Sequence, residues 1–411
     1  MPFERKTTTM TAASPLPPWA LDASFGIFVH WGVYSVPSWA EPTGAWGAVD
    51  EECWFAHNAY AEWYSNTIRI DGSPAAAHQR DVYGGSAYDD FLDAWQGEAF
   101  DAGAWARLFA HAGADYVIPV TKHHDGIALW DAPGSGGLNT VARGPQKDII
   151  GLLAEAVRRE GMRFGVYYSG GLDWAFTKFP PIESMQDVNL YRPVDPGYAE
   201  YANRQVRDLI ERFRPSVIWN DIDWPDSAKD DGSLLELLSH YRQAVPDGII
   251  NDRWGAPVGG YPTSEYAHDL QNERGVGWEH NRGLGFSFGF NRLEDESLTM
   301  TTRELARLYA DVVSRGGRLL INVGPTASGE IPSVQRRTLE GFGRWVRDVK
   351  PFTTGRSLSE PGSLTRSDMA GDAGWFRAWE CDGRAIVVAD DSTWVRHEGG
   401  RDVVRIELPA E

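Results

Sequence analysis

The sequence predicts an α/β fold: a (β/α)8-like (TIM) barrel, regular or not, followed by a small C-terminal β domain. Three observations carry this reading. From about residue 100, short β-branched runs alternate with longer amphipathic segments, the rhythm of parallel β/α units. About seven such units spread over roughly 320 residues, which suits a closed barrel better than an open sheet. After Pro351 the pattern changes to alternating strand-like runs around an Asp-Gly turn.

Taken in order, residues 1–24 read as an N-terminal extension, 25–350 as the barrel and 351–411 as a short β-sandwich-like domain. "FGIFVHWG" is the first strand. The segment from Glu41 to Phe100 is long, aromatic and weakly periodic, so it reads as an elaborate loop lying over the active face. "AWARLFAHAG" has helical period and a glycine stop at Gly113, and "DYVIPVT" then reads as a buried strand ending just before "KHHDG". The same unit recurs as "KDIIGLLAEAVRREG" with "RFGVYYS", "YANRQVRDLIERF" with "SVIWND", and "SLLELLSHYRQAV" with "GIIND". A last copy is "TTRELARLYADVVSRGG" with "RLLINVGP", closed by the helix "VQRRTLEGFGRWVRDVK". "WFRAWECDGRAIVVAD" and "DVVRIELP" supply the strands of the appendage.

Composition narrows the partners. With 39 basic against 58 acidic residues the chain carries a net charge of −19, which works against nucleic acid or anionic membrane and favours a neutral ligand. Cys53 and Cys381, the two cysteines, cannot make a disulfide framework. The N-terminal stretch lacks the roughly 7-residue apolar run of a secretory signal. No segment approaches the ~18 apolar residues of a membrane helix. A cytoplasmic protein is therefore expected, while its oligomeric state is unreadable. The 18 tryptophans suit stacking on sugar rings as well as filling a core.

In a barrel the chemistry gathers at the C-terminal ends of the strands. Polar residues at those positions are His30 in "FVHWG", His123 and His124 in "TKHHDG", Tyr167 in "GVYYSGG", Asp221 in "WND" and Arg253 in "NDRWG", with Trp31, Trp63 and Trp219 near them in the pattern. Each singly could be a packed or hydrogen-bonded core residue. Their shared position at successive strand ends is harder to assign to packing.

Within "VIWNDIDWPD", period 2 sends Val217, Trp219 and Asp221 to one face of a strand, while Asp223 and Asp226 fall in a loop beside Pro225. Two chemistries compete for this set. A metal-dependent hydrolase would use His30, His123, His124 and Asp221 as ligands. Against it, adjacent histidines on extended backbone point opposite ways, and neither H-x-H nor H-E-x-x-H is present. Glycoside hydrolysis instead needs two carboxylates flanking the bond to be cut, with neutral donors and aromatics on the sugar. Asp221 is preferred as nucleophile because it ends a strand facing inward. The second carboxylate is open between Glu265 in "YPTSEYAHD" and Glu279 in "GVGWEHNRG", with Glu62 as an outsider.

The segments "FGIFVHWGVYSVP", "AEWY", "TKHHDGIALW", "RFGVYYSGGLDW", "WNDIDWP", "NDRWG", "SFGFNR" and "INVGP", in this order from about residue 25 to 325, resemble the α-L-fucosidases of glycoside hydrolase family 29. The resemblance implies a (β/α) barrel followed by a β-sandwich, and hydrolysis of terminal α-L-fucose from fucosylated glycans or glycosides with retention and without a cofactor or metal. It implies that Asp221 is the nucleophile and that Glu265 is the acid/base. His30, His123 and His124 correspond to the family's fucose-binding histidines. Glu62, Trp63, Tyr167, Trp219, Arg253 and Phe288 correspond to its aromatic and polar wall, in which Trp63 or Phe288 would favour the C6 methyl of fucose. The acid is expected in an apolar setting or beside a negative charge that keeps its proton on near neutral pH. The appendage, about 60 residues long, is shorter than the family's usual sandwich. A non-catalytic fucose-binding protein on the same barrel is the remaining alternative.

Overall fold

A computed structural model describes residues 15–266, 270, 275, 277–355, 369–370, 374–390, 394–395 and 403–410. Residues 1–14, where a secretory signal was sought, lie outside the described set. Eight strands run parallel in one sheet: β1 (Phe25–Val29), β2 (Tyr116–Lys122), β3 (Arg163–Ser169), β4 (Val217–Asp221), β5 (Ile249–Ile250), β6 (Thr263–Glu265), β7 (Glu279–Gly283) and β8 (Arg318–Val323). They pair in the order β5-β4-β3-β2-β1-β8-β7-β6. The two free edges meet through a parallel bridge between Asn251 and Tyr261, with Tyr261 N–H donating to Ile250 O at 2.9 Å. That contact closes the ring, so the barrel reading holds with one more strand than the periodicity supplied.

The irregularity lies in one sector. Helices Ala102–His111, Ile149–Arg159, Pro196–Phe213, Ser233–Ala244, Thr302–Ser314 and Ser333–Val349 pack around the sheet where amphipathic segments were read. Most start as their sequences direct: Asp101, Asp148, Asp195 and Thr301 each cap a helix by accepting backbone N–H groups, and Thr301 with Glu304 forms a capping box. No helix follows β5 or β6 among the described residues. The segment from Glu41 to Phe100, expected as a loop, instead carries the short helices Glu51–His57, Tyr64–Thr67, Pro74–Tyr83 and Asp90–Ala94.

Inside the ring, Phe28, Ile118, Val120, Tyr167, Val217, Trp219, Ile249 and Leu320 fill the lumen. The period-2 reading of β4 is therefore met, since Val217 and Trp219 point inward while Ile218 packs on the helical shell. The extension contributes a floor: helix Pro18–Asp22 brings Ala20 and Trp19 under the lumen, with Trp19 Nε1 donating to Asp247 O at 2.8 Å.

Glu279 settles its own case here. It is the first residue of β7, at the end of the barrel away from the active face, and fully buried. Its Oε2 accepts from Arg318 Nε at 3.0 Å and Tyr116 OH at 2.7 Å; its Oε1 accepts from Trp219 Nε1 at 2.9 Å and Tyr261 OH at 3.2 Å. Burial opposes the Arg318 charge, but Glu279 outweighs it and holds the guanidinium above its ordinary range. Glu279 is thus the keystone of the barrel floor and no candidate for the acid.

In the appendage, strands Phe376–Cys381, Arg384–Ala389 and Val403–Glu407 form one sheet, turning at Asp382 and Gly383 with φ of 51° and 74° as an Asp-Gly hairpin requires. Met369–Ala370 pairs with Trp394–Val395. The sheet docks on the outer helices, where Trp345 Nε1 donates to Glu407 O at 2.7 Å and Trp379 Nε1 to Phe352 O at 2.7 Å. The rest of the expected sandwich falls outside the described residues.

Removing one member of a buried ion pair leaves the other uncompensated. Glu279→Ala is expected to lower unfolding stability by about 3–5 kcal/mol, read from urea denaturation midpoints. Glu279→Leu with Arg318→Met together should recover only the part owed to the unpaired guanidinium, because Tyr116, Trp219 and Tyr261 still lose their acceptor.

Candidate active site

The strand ends expected to converge do so. Asp221 ends β4, Glu265 ends β6, and Arg253 leaves β5 between them. Arg253 Nη1 donates to Asp221 Oδ1 at 3.0 Å and Nη2 to Glu265 Oε2 at 2.7 Å, so one guanidinium joins the two carboxyls. Its plane lies over Trp219 at 4.5 Å, and its Nε donates to Thr263 Oγ1 at 3.2 Å. Burial opposes this charge, but Glu265 and Asp221 together hold it above its ordinary range. The companion expected for the acid was apolar or anionic; the side chain found beside Glu265 is this cation.

Asp221 is held by two further donors and has His124 as a neighbour. Tyr167 OH donates to Oδ2 at 2.9 Å, the Ile222 N–H donates to Oδ1 at 3.0 Å, and His124 Nε2 stands 3.9 Å from Oδ2. Asn281 Nδ2 donates to Glu265 Oε2 at 3.3 Å. The backbone beyond each carboxylate is unusual: Ile222, Asp223 and Tyr266 have φ of 61°, 96° and 43°. For a β-branched residue such as Ile222 this is a strained conformation.

The three histidines line the same hollow. His30 Nδ1 lies 2.7 Å from Asn322 Oδ1, while Asn322 Nδ2 donates to Phe288 O at 2.6 Å. The Phe288 carbonyl can only accept, which orients the amide and makes His30 Nδ1 a donor. His124 Nδ1 lies 2.6 Å from Ser169 Oγ, whose hydroxyl is committed to Leu172 O at 2.7 Å, so His124 Nδ1 is a donor too. Both rings therefore keep Nε2 as an acceptor. Burial lowers His30 and His124 to about 3, and it lowers His123 strongly as well, so all three are neutral.

One expectation fails here. His123 and His124 were expected to point apart as neighbours on extended chain, yet their ring centres are 4.1 Å apart. Strand β2 stops at Lys122 and His124 begins a turn, which swings both rings to one side. Among the described residues, no group of three His, Cys, Asp or Glu side chains is arranged to hold a metal ion.

Aromatic side chains complete the hollow. Phe288 is 4.9 Å from His30, and Trp63 is 5.4 Å from His124, centre to centre. Tyr167 stacks on His123 at 5.6 Å and on Trp219 at 5.6 Å. Trp219 is buried with its N–H spent on Glu279, so it forms the bed beneath Arg253. Trp31, grouped with the site by pattern, packs instead in the outer core against Trp95 and Trp105. Glu62 is buried, its Oε2 accepting from Gly289 N–H at 2.8 Å and Ser287 Oγ at 3.2 Å.

Known proteins share this sequence and fold. A family model described as alpha-L-fucosidase matches residues 2–350. The chain belongs to the α-L-fucosidase family. It is 32% identical over 344 residues to an α-L-fucosidase of Dictyostelium discoideum, covering 81% of this chain and 70% of that one. It is also 32% identical over 343 residues to human tissue α-L-fucosidase, covering 81% and 68%. Among solved structures, a Thermotoga maritima α-fucosidase in complex with fucose is 42% identical with a TM-score of 0.81, over 90% of this chain and 82% of that one. The same enzyme with a mechanism-based inhibitor is 43% identical with a TM-score of 0.82, over 90% and 82%.

Within this fucosidase site Asn281, Asn322 and Ser169 went unnoticed in the sequence. They act through Glu265, His30 and His124, and only the fold brings them there. Asp223 and Asp226 are accounted for elsewhere, both bonded to Arg192 and Lys229 at 2.7–3.2 Å.

Burial raises the Glu62 carboxyl from an ordinary 4.5 to about 7 despite its hydrogen bonds. A raised folded-state value means its stabilising contribution is complete below about 4.5 and is lost as pH rises to about 7. Glutamine keeps an acceptor for Gly289 and Ser287 without the charge. Glu62→Gln should therefore gain stability over the parent chain between pH 4.5 and 8, on the order of 3 kcal/mol; urea midpoints at the two pH values check it, and an unchanged difference would count against a buried protonated Glu62.

Proposed function

We propose that this α-L-fucosidase family member hydrolyses terminal α-L-fucose from fucosylated oligosaccharides or glycosides with retention, by double displacement. The observation that carries the reading is the single guanidinium of Arg253 bonded to both Asp221 and Glu265 at the mouth of the barrel. Retaining glycosidases need two carboxyls close together, about 5–5.5 Å apart, whereas inverting ones stand at about 6.5–9.5 Å to admit a water. Sharing one fork favours the close arrangement.

In the first step Asp221 attacks the anomeric carbon as the bond to the leaving oxygen breaks, and protonated Glu265 gives that oxygen its proton. In the second, Glu265 takes a proton from water, the water attacks the same carbon, and the ester to Asp221 breaks to release fucose. A protonated Glu265 no longer attracts Arg253 as an anion, so the acid step has the guanidinium turn toward Asp221.

The pocket suits this sugar for separable reasons. Neutral histidines with Nε2 free to accept match ring hydroxyls without drawing in ions. Phe288 and Trp63 offer an apolar wall to the C6 methyl, where other hexoses carry a hydroxyl.

Asp221→Ala should reduce turnover of 4-nitrophenyl α-L-fucoside by 100-fold or more, on the order expected for an essential group. Added azide should rescue it with a product of inverted anomeric configuration. Glu265→Ala with azide should instead give the retained fucosyl azide. Asp223→Ala, which loosens the turn after Asp221 by removing its ion pairs to Arg192 and Lys229, should keep a reduced turnover that azide does not change; a dead Asp223→Ala beside an unrescued Asp221→Ala would refute the assignment. Turnover should also survive a chelator, and its loss would revive the metal-dependent reading.

A further inference from the structure

Phe288 does not belong to any helix or strand; it rides on the turn Gly285–Gly289. Such a turn has no ladder to fix it, so its backbone groups must find other partners. They find side chains. Glu294 Oε1 accepts from the Phe286 N–H at 3.1 Å and the Ser287 N–H at 2.7 Å. Glu62 Oε2 takes the Gly289 N–H at 2.8 Å, and Asn322 Nδ2 donates to Phe288 O at 2.6 Å. Tyr266 OH accepts from the Gly283 N–H at 2.9 Å and donates to Phe286 O at 2.8 Å.

Three of these holders have another task in or beside the site. Glu62 directly precedes Trp63, Asn322 sets the His30 tautomer, and Tyr266 follows Glu265 directly. Glu294 has none. Its carboxyl lies so close beneath the turn that a Cβ on Gly285 would stand 1.8 Å from Oε2. Burial, with Glu62 nearby, raises it from 4.5 to about 8, the condition of a carboxyl kept for its acceptor geometry.

We propose that Glu294 is a positioning residue for the sugar wall: by accepting two successive N–H groups it fixes the turn that sets Phe288 beside His30, and so governs how strictly the C6 substituent is read. This rests on the fucosidase reading above. Without that acceptor two N–H groups lose their partner, the turn relaxes, and Phe288 no longer presents one fixed surface. A hydroxyl at C6 is then rejected less strongly, because rejection depends on there being no room and no partner for it.

The test compares kcat/KM for 4-nitrophenyl α-L-fucoside with that for 4-nitrophenyl α-L-galactoside, which differs by a C6 hydroxyl. E294A should lower the fucoside-to-galactoside ratio on the order of tenfold, the worth of one apolar contact. E294Q, which keeps the accepting oxygen, should retain the parent ratio. E294D, whose oxygen is withdrawn by one methylene, should fall between them and serves where E294A does not fold. A purely structural role would lower the fraction of folded enzyme and leave the ratio unmoved. An unchanged ratio in E294A, or in E294D where E294A is not recovered, overturns the proposal, as does an E294Q that loses as much discrimination as E294A. A parent chain inactive on the fucoside would defeat the fucosidase reading itself, which is a different result.

Discussion

The site is organised around a cation shared by two acids. Asp221 and Glu265 end strands that are not neighbours in the ring, for β5 stands between β4 and β6 and contributes Arg253 from its exit. Two carboxylates facing one hollow would repel. Arg253 removes that tension with one planar fork, and a fork imposes direction as well as charge. Trp219 beneath it and Thr263 beside it leave the guanidinium little freedom. The Asn251–Tyr261 bridge that closes the ring is also what brings the exit of β5 against β6, so barrel closure and carboxyl pairing are one event.

Around that pair the protein avoids further charge. The three histidines are buried and neutral, and two have their Nδ1–H committed to Asn322 and Ser169. A chain with a net charge of −19 that presented imidazolium ions in its pocket would draw anions; neutral acceptors suit hydroxyls instead. The same economy appears at the floor, where Glu279 and Arg318 cancel each other out of reach of the ligand. Acid and arginine are thus paired at both ends of the lumen, for architecture below and for chemistry above.

Much of this was legible in the sequence, and the remainder was hidden for physical reasons. Strands β1 to β4 and β8 are apolar runs, and the helices between them keep a clear period, so their ends and the residues at those ends could be read. Strands β6 and β7 could not. Thr263–Glu265 is three residues long, and "EHNRG" has no apolar period because its side chains serve the floor ion pair and the pocket. Without those strands, Glu265 and Glu279 looked alike, though one ends a strand and the other begins one. The opposed histidines failed for a related reason: periodicity describes a strand but does not announce where it stops, and stopping at Lys122 turned both rings into one site.

The stretch "VIWNDIDWPD" shows how its three acids divide the work. Asp221 stands at the last ordered position of β4, and immediately after it Ile222 and Asp223 take left-handed φ. Such a turn costs energy for a branched residue and persists only if its surroundings insist on it. Asn220 Nδ2 holds the Asp223 and Arg253 carbonyls at 2.9 and 2.8 Å, while Arg192 and Lys229 clamp the Asp223 carboxylate, so the turn is tied to the very loop that carries Arg253. Gly171 permits the close approach, since a Cβ there would lie 2.2 Å from Ile222 O. Asp223 and Asp226 therefore do structural work for Asp221: their ion pairs hold the backbone bent away from the hollow, and Asp221 is left as the one acid of the three that faces it.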